Sequence, residues 1–562
     1  MAFASAPRPG STTPSGDDHR YTYFPLALGV MTTIFFMWGF LTCLNDILIP
    51  HLKALFELSY FRALLIQFTF FGAYFLMSIP AGRVVATLGY KKGIVTGLAV
   101  AAIGAAGFWP AASLHSYSAF LVALFVLATG ITVLQVAANP YVALLGPEKT
   151  SSSRLNLAQA LNSLGTTLAP IFGGLLILTA AVSSIPKDAV TAPETHQLVT
   201  TINQDSPERA MAALTVASTD HLAAALNQAA TPSIEKLPTP ALVEELNRLP
   251  PAQLGEVLGV LPTDKVLATL QAQSPDRLTA IPAEKLATAL DNLRATRLSD
   301  AQDAQLKAVA GSLPAAASEQ LAAYRNTQAE SVQKPYIGLA IVLLVLAAGV
   351  WLFKLPTLTE TTGGIEQARH TFAEALSHPH VKFGVLAIFF YVGAEVSIGS
   401  FMINYLSLPE IGHMSQNQAS HYVGFYWGGA MVGRIIGAGL LVNISPRKLL
   451  ALFATIAGLL VLTTMLSSGD VSVYSIIAIG LFNSIMFPTI FALGIEHLGP
   501  LTGKASSLLV MAIVGGALIP VLQGVIADHI GLQHAFFLPL ICYAYIVFYG
   551  VSGSKVRNLP ST

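Results

Sequence analysis

Long apolar runs dominate the chain. Runs of about 20 apolar residues are long enough to cross a bilayer as helices. Twelve such runs lie near 24–50, 60–82, 93–113, 117–146, 154–180, 335–354, 380–407, 420–443, 447–467, 470–495, 504–528 and 533–552. The pattern predicts an all-α membrane protein with twelve spans, which split six plus six along the chain.

One polar region interrupts this pattern, between the fifth and sixth spans. Residues 183–334 are alanine-rich and hold 17 of the 30 acidic and 12 of the 30 basic residues. Short Leu/Ala segments recur there, and hydroxyl-proline pairs precede several of them, a pattern typical of helix N-caps. These pairs are Ser206-Pro207, Thr231-Pro232, Thr239-Pro240 and Ser274-Pro275. The region is predicted to be a small solenoid of short helices, which either contacts a partner or the cell wall or is a tolerated loop expansion.

These boundaries predict a disordered cytoplasmic tail at 1–22, first-bundle helices at 23–182, the acidic periplasmic insert at 183–334 and the sixth span at 335–355. A cytoplasmic linker at 356–379, a second bundle at 380–552 and a tail at 553–562 follow. Lysine and arginine concentrate in the loops on the side that both termini share. The positive-inside rule therefore places both termini in the cytoplasm, and the expected location is a bacterial inner membrane.

Composition narrows the class further. The chain of 562 residues is 53% hydrophobic and only 11% charged, unlike a soluble domain. Its two cysteines, Cys43 and Cys542, both lie in predicted spans, so no disulfide framework or thiolate metal site is indicated. We find no nucleophile, metal or phosphate-loop motif, and we expect neither an enzyme nor a resident cofactor nor a nucleic-acid partner.

Amide side chains cluster in the fourth and fifth spans. Gln135 and Asn139 share one helical face, and Asn156, Gln159 and Asn162 descend a face of the next helix. Polar side chains inside a membrane must find partners in the bundle or a watery cavity. The cluster indicates either a polar passage suited to a neutral polyol or interhelical hydrogen bonding.

Further candidates lie in the first two spans. Trp38 and Asn45 are seven residues apart on one face, and Asp46 follows. An acid inside a span costs about 2.5–3.5 kcal/mol and persists where it has a task or a partner. Asp46 is therefore a functional candidate, unless it lies at the outer mouth. Gln67 sits in an aromatic run of the second span that is more typical of packing.

The seventh span holds the other buried acid. Tyr391 and Glu395 are one helical turn apart. Glu395 either pairs structurally or acts on a substrate or proton. In the tenth span, Pro488 predicts a kink beside Asn483.

Several motifs together resemble the fucose/hexose permease branch of the major facilitator superfamily. They are NDILIPHLK, YKKG, VAANPYVALLGPE, SRLNLAQALNSLG, YVGAE and FPTIFALGIEHLG, in that order along the membrane part. The resemblance implies a major facilitator fold, with twelve helices in two six-helix bundles and a central sugar site between them. It also implies alternating access with cation cotransport. Ala86 stands where the loop motif of this superfamily usually has an acid, so gating is expected to use contacts other than that loop salt bridge.

The resemblance also implies roles for particular residues. Asp46 matches an acid used in proton coupling, and Gln159 and Asn162 match amides beside the sugar. Trp38 and Tyr391 align with aromatic positions near the cavity. Each role is an expectation that the resemblance carries.

One departure changes the coupling expectation. Gln135 stands where fucose permeases carry a glutamate, as in the glucose/galactose branch. Glu395 then supplies the second charge, or Asp46 acts alone, or sodium replaces the proton.

The sequence therefore predicts a secondary active transporter that imports a glucose- or galactose-type monosaccharide with a cation. A fucose:proton symporter and a non-transporting scaffold or sensor that uses the insert are the alternatives.

Overall fold

The computed structural model describes residues 25–56, 60–114, 116–176, 183–295, 298–356, 370–408, 410–412, 414 and 416–556. The side chains of 44–64, 170–176, 294–295, 328–332, 416–417 and 420 lie outside the described part. The predicted tail at 1–22 and most of the predicted linker also lie outside it. All the regular elements that the structure describes are helical.

The first half begins with four membrane helices. They are α1 (Pro25–Phe56), α2 (Tyr60–Ser113), α3 (Tyr117–Leu144) and α4 (Ser151–Leu176). Helix α2 contains two predicted spans joined at Gly89, whose φ of 79° lies in the left-handed region that favours glycine. Ten helices in the described part are long and apolar enough to cross a membrane, with α2 counted once. Helix α4 is not among them because its amides and hydroxyls lower its hydropathy, so the structure is consistent with twelve spans.

The insert is built of short helices around its own apolar core, separate from the membrane core. They are α5 (Lys187–Thr191), α6 (Pro193–Gln204), α7 (Pro207–Val216), α8 (Thr219–Gln228), α9 (Thr231–Glu235), α10 (Thr239–Leu246), α11 (Pro251–Leu258), α12 (Thr263–Ala272), α13 (Pro275–Ala280), α14 (Ala283–Ala295) and α15 (Asp300–Gly311). Helix α6 packs on α8 and α10 on α12, as the predicted stacking requires. Helix α14 also contacts α1 and α2.

Two of the four predicted N-caps are confirmed. The hydroxyls of Ser206 and Ser274 accept hydrogen bonds from backbone N–H groups three residues on. Thr231 and Thr239 instead lie inside the first turn of their helices, so those two assignments are wrong by one residue. The Thr239 hydroxyl accepts a hydrogen bond of 2.7 Å from the buried Lys265 ammonium.

The apolar span at Gln333–Leu352 agrees with the prediction, but the helix that carries it is much longer than the sequence predicts. Helix α16 (Ala315–Leu352) runs for 38 residues from the insert into the membrane, with Pro335 inside it. The predicted boundary at 335 marks a change of polarity and not the start of a helix. The first turns are stabilised because Leu321 and Tyr324 pack on the insert core.

The second half follows the linker. Its helices are α17 (Phe372–Ser377), α18 (Pro379–Leu406), α19 (Gln416–Asn443), α20 (Pro446–Leu466), α21 (Gly469–Asn483), α22 (Met486–Gly494), α23 (Thr502–Met511), α24 (Gly515–Ile530), α25 (Leu532–Ala535) and α26 (Phe537–Phe548). Short 3-10 turns occur at Glu148–Thr150, Gly499–Leu501 and Ala512–Val514, and a π turn at Tyr549–Gly553. The predicted break near Pro488 is confirmed, because α21 ends at Asn483 and α22 begins at Met486.

Small residues let α2 and α3 approach closely. A Cβ added at Gly104 would lie 2.2 Å from the backbone nitrogen of Leu127. A Cβ added at Gly130 would lie equally close to the backbone nitrogen of Ala101. Lipid provides little hydrophobic driving force for helix association. Membrane helix pairs therefore typically rely on close backbone contact at small residues, as here.

Replacing Gly104 with alanine is expected to lower the free energy of unfolding by about 1–3 kcal/mol, because the facing atom is backbone and cannot yield as a side chain does. Thermal unfolding in detergent measures the change. Gly338→Ala is the matched control, since a Cβ there meets nothing within 4 Å, and it should be neutral or stabilising. Equal effects at both positions would contradict the packing argument.

Candidate functional site

Gln135 and Trp38 meet at a buried tyrosine in the first half. The Gln135 amide nitrogen donates to the Tyr74 hydroxyl at 2.8 Å, and Trp38 lies beside the same hydroxyl. Gln135 is only 2% exposed, and its amide oxygen has no hydrogen-bond partner within the described part of the chain. From the sequence, Tyr74 is part of an aromatic run that is more typical of packing. Because a phenol hydroxyl inside a membrane span needs a polar partner, a tyrosine at this position indicates a hydrogen-bonding role.

One face of α4 lies along the second half. The Asn156 amide nitrogen donates to the Thr489 hydroxyl at 3.2 Å, and the Ser163 hydroxyl accepts from the Arg434 guanidinium. Both contacts join the two halves. Along the helix Gln159 lies between Asn156 and Ser163, three residues after one and four before the other, and it is 4% exposed. Helical geometry places it about 60° around α4 from Asn156 and about 40° from Ser163, at the edge of the face that contacts the second half.

Asn162 and Asn139 have different surroundings. The Asn162 amide nitrogen donates to the Phe35 carbonyl at 2.9 Å, which ties α4 to α1. Of the two roles that the sequence allows for these amides, a polar passage or interhelical hydrogen bonding, the Asn162 nitrogen has the second. Asn139 is fully buried, and neither of its amide atoms has a partner among the described residues.

Glu395 lies in a buried polar cluster of the second half. The Tyr391 hydroxyl donates to a Glu395 carboxylate oxygen at 2.7 Å. The same oxygen lies 3.7 Å from a guanidinium nitrogen of Arg434, and both charged side chains are nearly buried. Arg434 is not among the site residues that the sequence predicts. The sequence does contain a signal for it, because a cation inside a membrane span needs a counter-charge and Glu395 lies in a span of the same half.

The helix break at Pro488 positions this cluster. Proline has no N–H, so the carbonyl of Ser484 four residues earlier has no helical donor. The Arg434 Nε donates to that carbonyl at 3.1 Å. The Tyr391 hydroxyl also lies 3.1 Å from the neighbouring carbonyl of Asn483. The break thus fixes the two side chains that contact Glu395.

The Asn483 side chain extends the network between helices. Its amide nitrogen donates to the Tyr426 hydroxyl at 2.8 Å, and its amide oxygen accepts from the Tyr543 hydroxyl at 2.6 Å. All three residues are fully buried. The network holds α19, α21 and α26 in one orientation around Glu395.

Three predicted residues add less. Gln67 is half-buried. The side chains of Asn45 and Asp46 lie outside the described residues. The structure therefore brings together Trp38 with Gln135, and Tyr391 with Glu395, while Gln159 lies on the α4 face between the halves.

The halves also meet at the end that carries Lys91, Lys149 and Lys448, which we call the basic end. The Ser153 hydroxyl donates to the Ala438 carbonyl at 2.7 Å, and the Ser506 hydroxyl donates to the Val136 carbonyl at 3.0 Å. These contacts are neutral hydrogen bonds. They agree with the expectation from Ala86 that contacts other than the usual loop salt bridge join the halves.

A contact between Glu148 and His497 also joins the halves at this end. The Glu148 carboxylate accepts from the His497 backbone N–H at 3.1 Å and lies 3.2 Å from the ring nitrogen Nδ1. His497 has a φ of 56°, which is uncommon outside glycine. Glu496 pairs with Arg447, and burial raises the pKa of the Glu496 carboxyl while Arg447 opposes that shift.

A cavity of about 800 Å³ opens at the basic end between the halves. Its lining includes Glu148, Lys149, Arg447, Glu496 and His497. The predicted sugar-site residues whose side chains the structure describes do not line it. Among the described residues, no group of three or more His, Cys, Asp or Glu side chains is placed to hold a metal ion.

Comparison with known proteins gives consistent matches along the chain. Residues 26–183 match the Major Facilitator Superfamily. The chain is 39% identical over 532 residues to the glucose/galactose transporter of Brucella abortus, which covers 95% of both chains. It is 30% identical over 537 residues to the L-fucose-proton symporter of Escherichia coli, covering 95% of this chain and 93% of that one.

A solved structure agrees with these relatives. The crystal structure of the Escherichia coli fucose:proton symporter matches with a TM-score of 0.65 at 29% identity, over 94% of this chain and 99% of that one. The two helical halves meet along a polar seam, by which we mean the α4 face that carries Asn156 and Ser163 and its partners in the second half. This arrangement is typical of a membrane carrier. The chain belongs to the Major Facilitator Superfamily, in the branch that holds glucose/galactose transporters and L-fucose-proton symporters.

Replacing Glu148 with glutamine is expected to weaken the closed basic end, because the contact with His497 joins the two halves. A partly exposed polar contact of this kind contributes about 1 kcal/mol or less. The alkylation rate of a cysteine introduced at Ser153, with Cys43 and Cys542 replaced by alanine, should therefore rise up to about fivefold. Asp470→Asn, at the opposite end, is the control and should leave the rate unchanged. An unchanged rate in Glu148→Gln would contradict a role in closure.

Proposed function

We propose that the protein carries a glucose- or galactose-type monosaccharide across the membrane together with a cation, by alternating access of its two halves. The observation that carries this proposal is the amide face of α4, which lies against the second half in a chain 39% identical to a glucose/galactose transporter. Each opening of the basic end would separate the hydrogen bonds of this seam.

The chemistry of the seam suits a neutral polyol. Amides offer both donors and acceptors, so one side chain such as Gln159 can bind adjacent hydroxyls of a sugar ring. The amide atoms of Gln135 and Asn139 that have no hydrogen-bond partner among the described residues need such partners, since an unsatisfied buried polar group costs about 1–3 kcal/mol. Trp38 offers an aromatic surface for the C–H side of the ring.

Cation coupling is assigned to Asp46 and Glu395. Gln135 cannot titrate, so the first half relies on Asp46. Glu395 lies in the second half beside Tyr391 and Arg434. The coupling ion is a proton in this proposal, and sodium is the alternative that gradient experiments separate.

The insert and the orientation complete the proposal. The basic end faces the cytoplasm by the positive-inside rule, so both termini lie there and the insert lies outside. The described contacts at the basic end then close the cytoplasmic side.

A fucose carrier is the second candidate, because the L-fucose-proton symporter is 30% identical. The scaffold alternative requires sugar transport to be absent.

Purified protein in proteoliposomes is expected to accumulate labelled glucose or galactose when an inward proton gradient is imposed. A sodium gradient at equal pH should leave accumulation near equilibrium if the ion is a proton. Asp46→Asn and Glu395→Gln should each lose gradient-driven accumulation while retaining sugar exchange. Preferential accumulation of L-fucose would favour the second candidate, and the absence of any sugar uptake would overturn the proposal.

Gln159→Ala is expected to weaken sugar affinity by about 5- to 100-fold, because one or two hydrogen bonds to buried hydroxyls are lost. The apparent Kd from competition with unlabelled sugar measures this. Leu157→Ala, on a more exposed face of the same helix, is the control and should bind normally. Equal affinities for wild type and Gln159→Ala would remove Gln159 from the binding site.

A further inference from the structure

Arg434 belongs to the Glu395 cluster of the second half and also contacts the first half. Its Nε donates to the Ser484 carbonyl at 3.1 Å, and a terminal nitrogen lies 3.7 Å from Glu395. Its other terminal nitrogen donates to the Ser163 hydroxyl on α4. The first two partners belong to the second half, and the third belongs to the first half.

These three partners differ in how firmly they hold the guanidinium. The Ser484 carbonyl is available because of Pro488, and that contact does not change with charge. Glu395 supplies the counter-charge, and Ser163 supplies only a neutral acceptor. A nearly buried cation that loses its counter-charge is destabilised, because a hydroxyl cannot replace a carboxylate in a low-dielectric site.

The planar geometry of the guanidinium links the two outer contacts. Its five N–H donors project from one rigid fork, so a rotation toward or away from Glu395 also moves the nitrogen that reaches Ser163. Tyr391, Tyr426 and Tyr543 surround the cluster as hydroxyl groups. Within this set of partners, Glu395 is the group that carries the negative charge.

We propose that Arg434 is a positioning residue that links the charge of Glu395 to the contact between the halves. With Glu395 ionised, the guanidinium stays between Glu395 and Ser163 and holds α19 against α4. With Glu395 neutral, the guanidinium leaves Ser163 for a more hydrated position, and the seam loosens. Arg434 therefore acts on separation of the halves and does not bind sugar.

This inference rests on the proposed function for its meaning in transport, but its test needs no sugar. Spin labels at Lys149→Cys and Lys448→Cys, with Cys43 and Cys542 replaced by alanine, report the distance between the halves at the basic end. Both lysines are exposed. Double electron–electron resonance in liposomes then gives the ratio of separated to closed populations.

Glu395→Gln is expected to raise the separated-to-closed ratio about fivefold or more, the usual range for coupling between sites. Ser163→Ala should raise it in the parent protein and add nothing in the Glu395→Gln background. Ser153→Ala is the matched control, because its hydroxyl also joins the halves but does not touch Arg434. Its effect should be the same in both backgrounds.

Arg434→Gln and the double variant Arg434→Gln with Glu395→Gln complete the cycle. The double variant should not exceed either single variant, and Arg434→Lys should restore at most part of the link, since it keeps the charge but lacks the fork. Additive effects of Ser163→Ala and Glu395→Gln would overturn the inference. Uptake assays with the wild-type protein test the proposed function separately, so either idea can fail alone.

Discussion

Pro488 lacks a backbone N–H group, and this lack positions the buried polar cluster around Glu395 in the second half. Lipid offers no hydrogen-bond donor, so a carbonyl freed by a proline must be satisfied within the protein. Pro488 frees the Ser484 carbonyl, and Arg434 satisfies it. The Tyr391 hydroxyl lies 3.1 Å from the adjacent carbonyl, that of Asn483, where α21 ends. Since both side chains also contact Glu395, a backbone requirement determines where the buried charge lies.

The contacts between the halves are mostly of a different kind. Asn156, Ser153 and Ser506 each make a single neutral hydrogen bond across the seam. Such bonds contribute about 1 kcal/mol each, and water can replace them. A carrier that must open and close therefore gains from a seam of this type. Charged contacts at Arg434 and Glu148 give the seam its sensitivity to charge.

Much of the fold could be read from the sequence, because span length and polarity report directly on the bilayer. The amide face of α4 followed in the same way from helical periodicity. The Glu395–Arg434 pair did not, since contact between two helices depends on their relative rotation. Asn162 shows the same limit: it lies about 60° around the helix from Gln159, and its nitrogen bonds to α1. Pro335 misled the boundary because the insert core stabilises the turns before it.

The continuous helix α16 has a mechanical consequence. At 1.5 Å per residue, its 38 residues form a rod of about 57 Å with one end in the insert core and the other in the first bundle. Helix α14 braces the same assembly against α1 and α2. The insert is therefore joined to the first bundle by a continuous helix, with Pro335 within it, and by the α14 contacts. A structure that binds the insert would therefore act on the first bundle before it acts on the second.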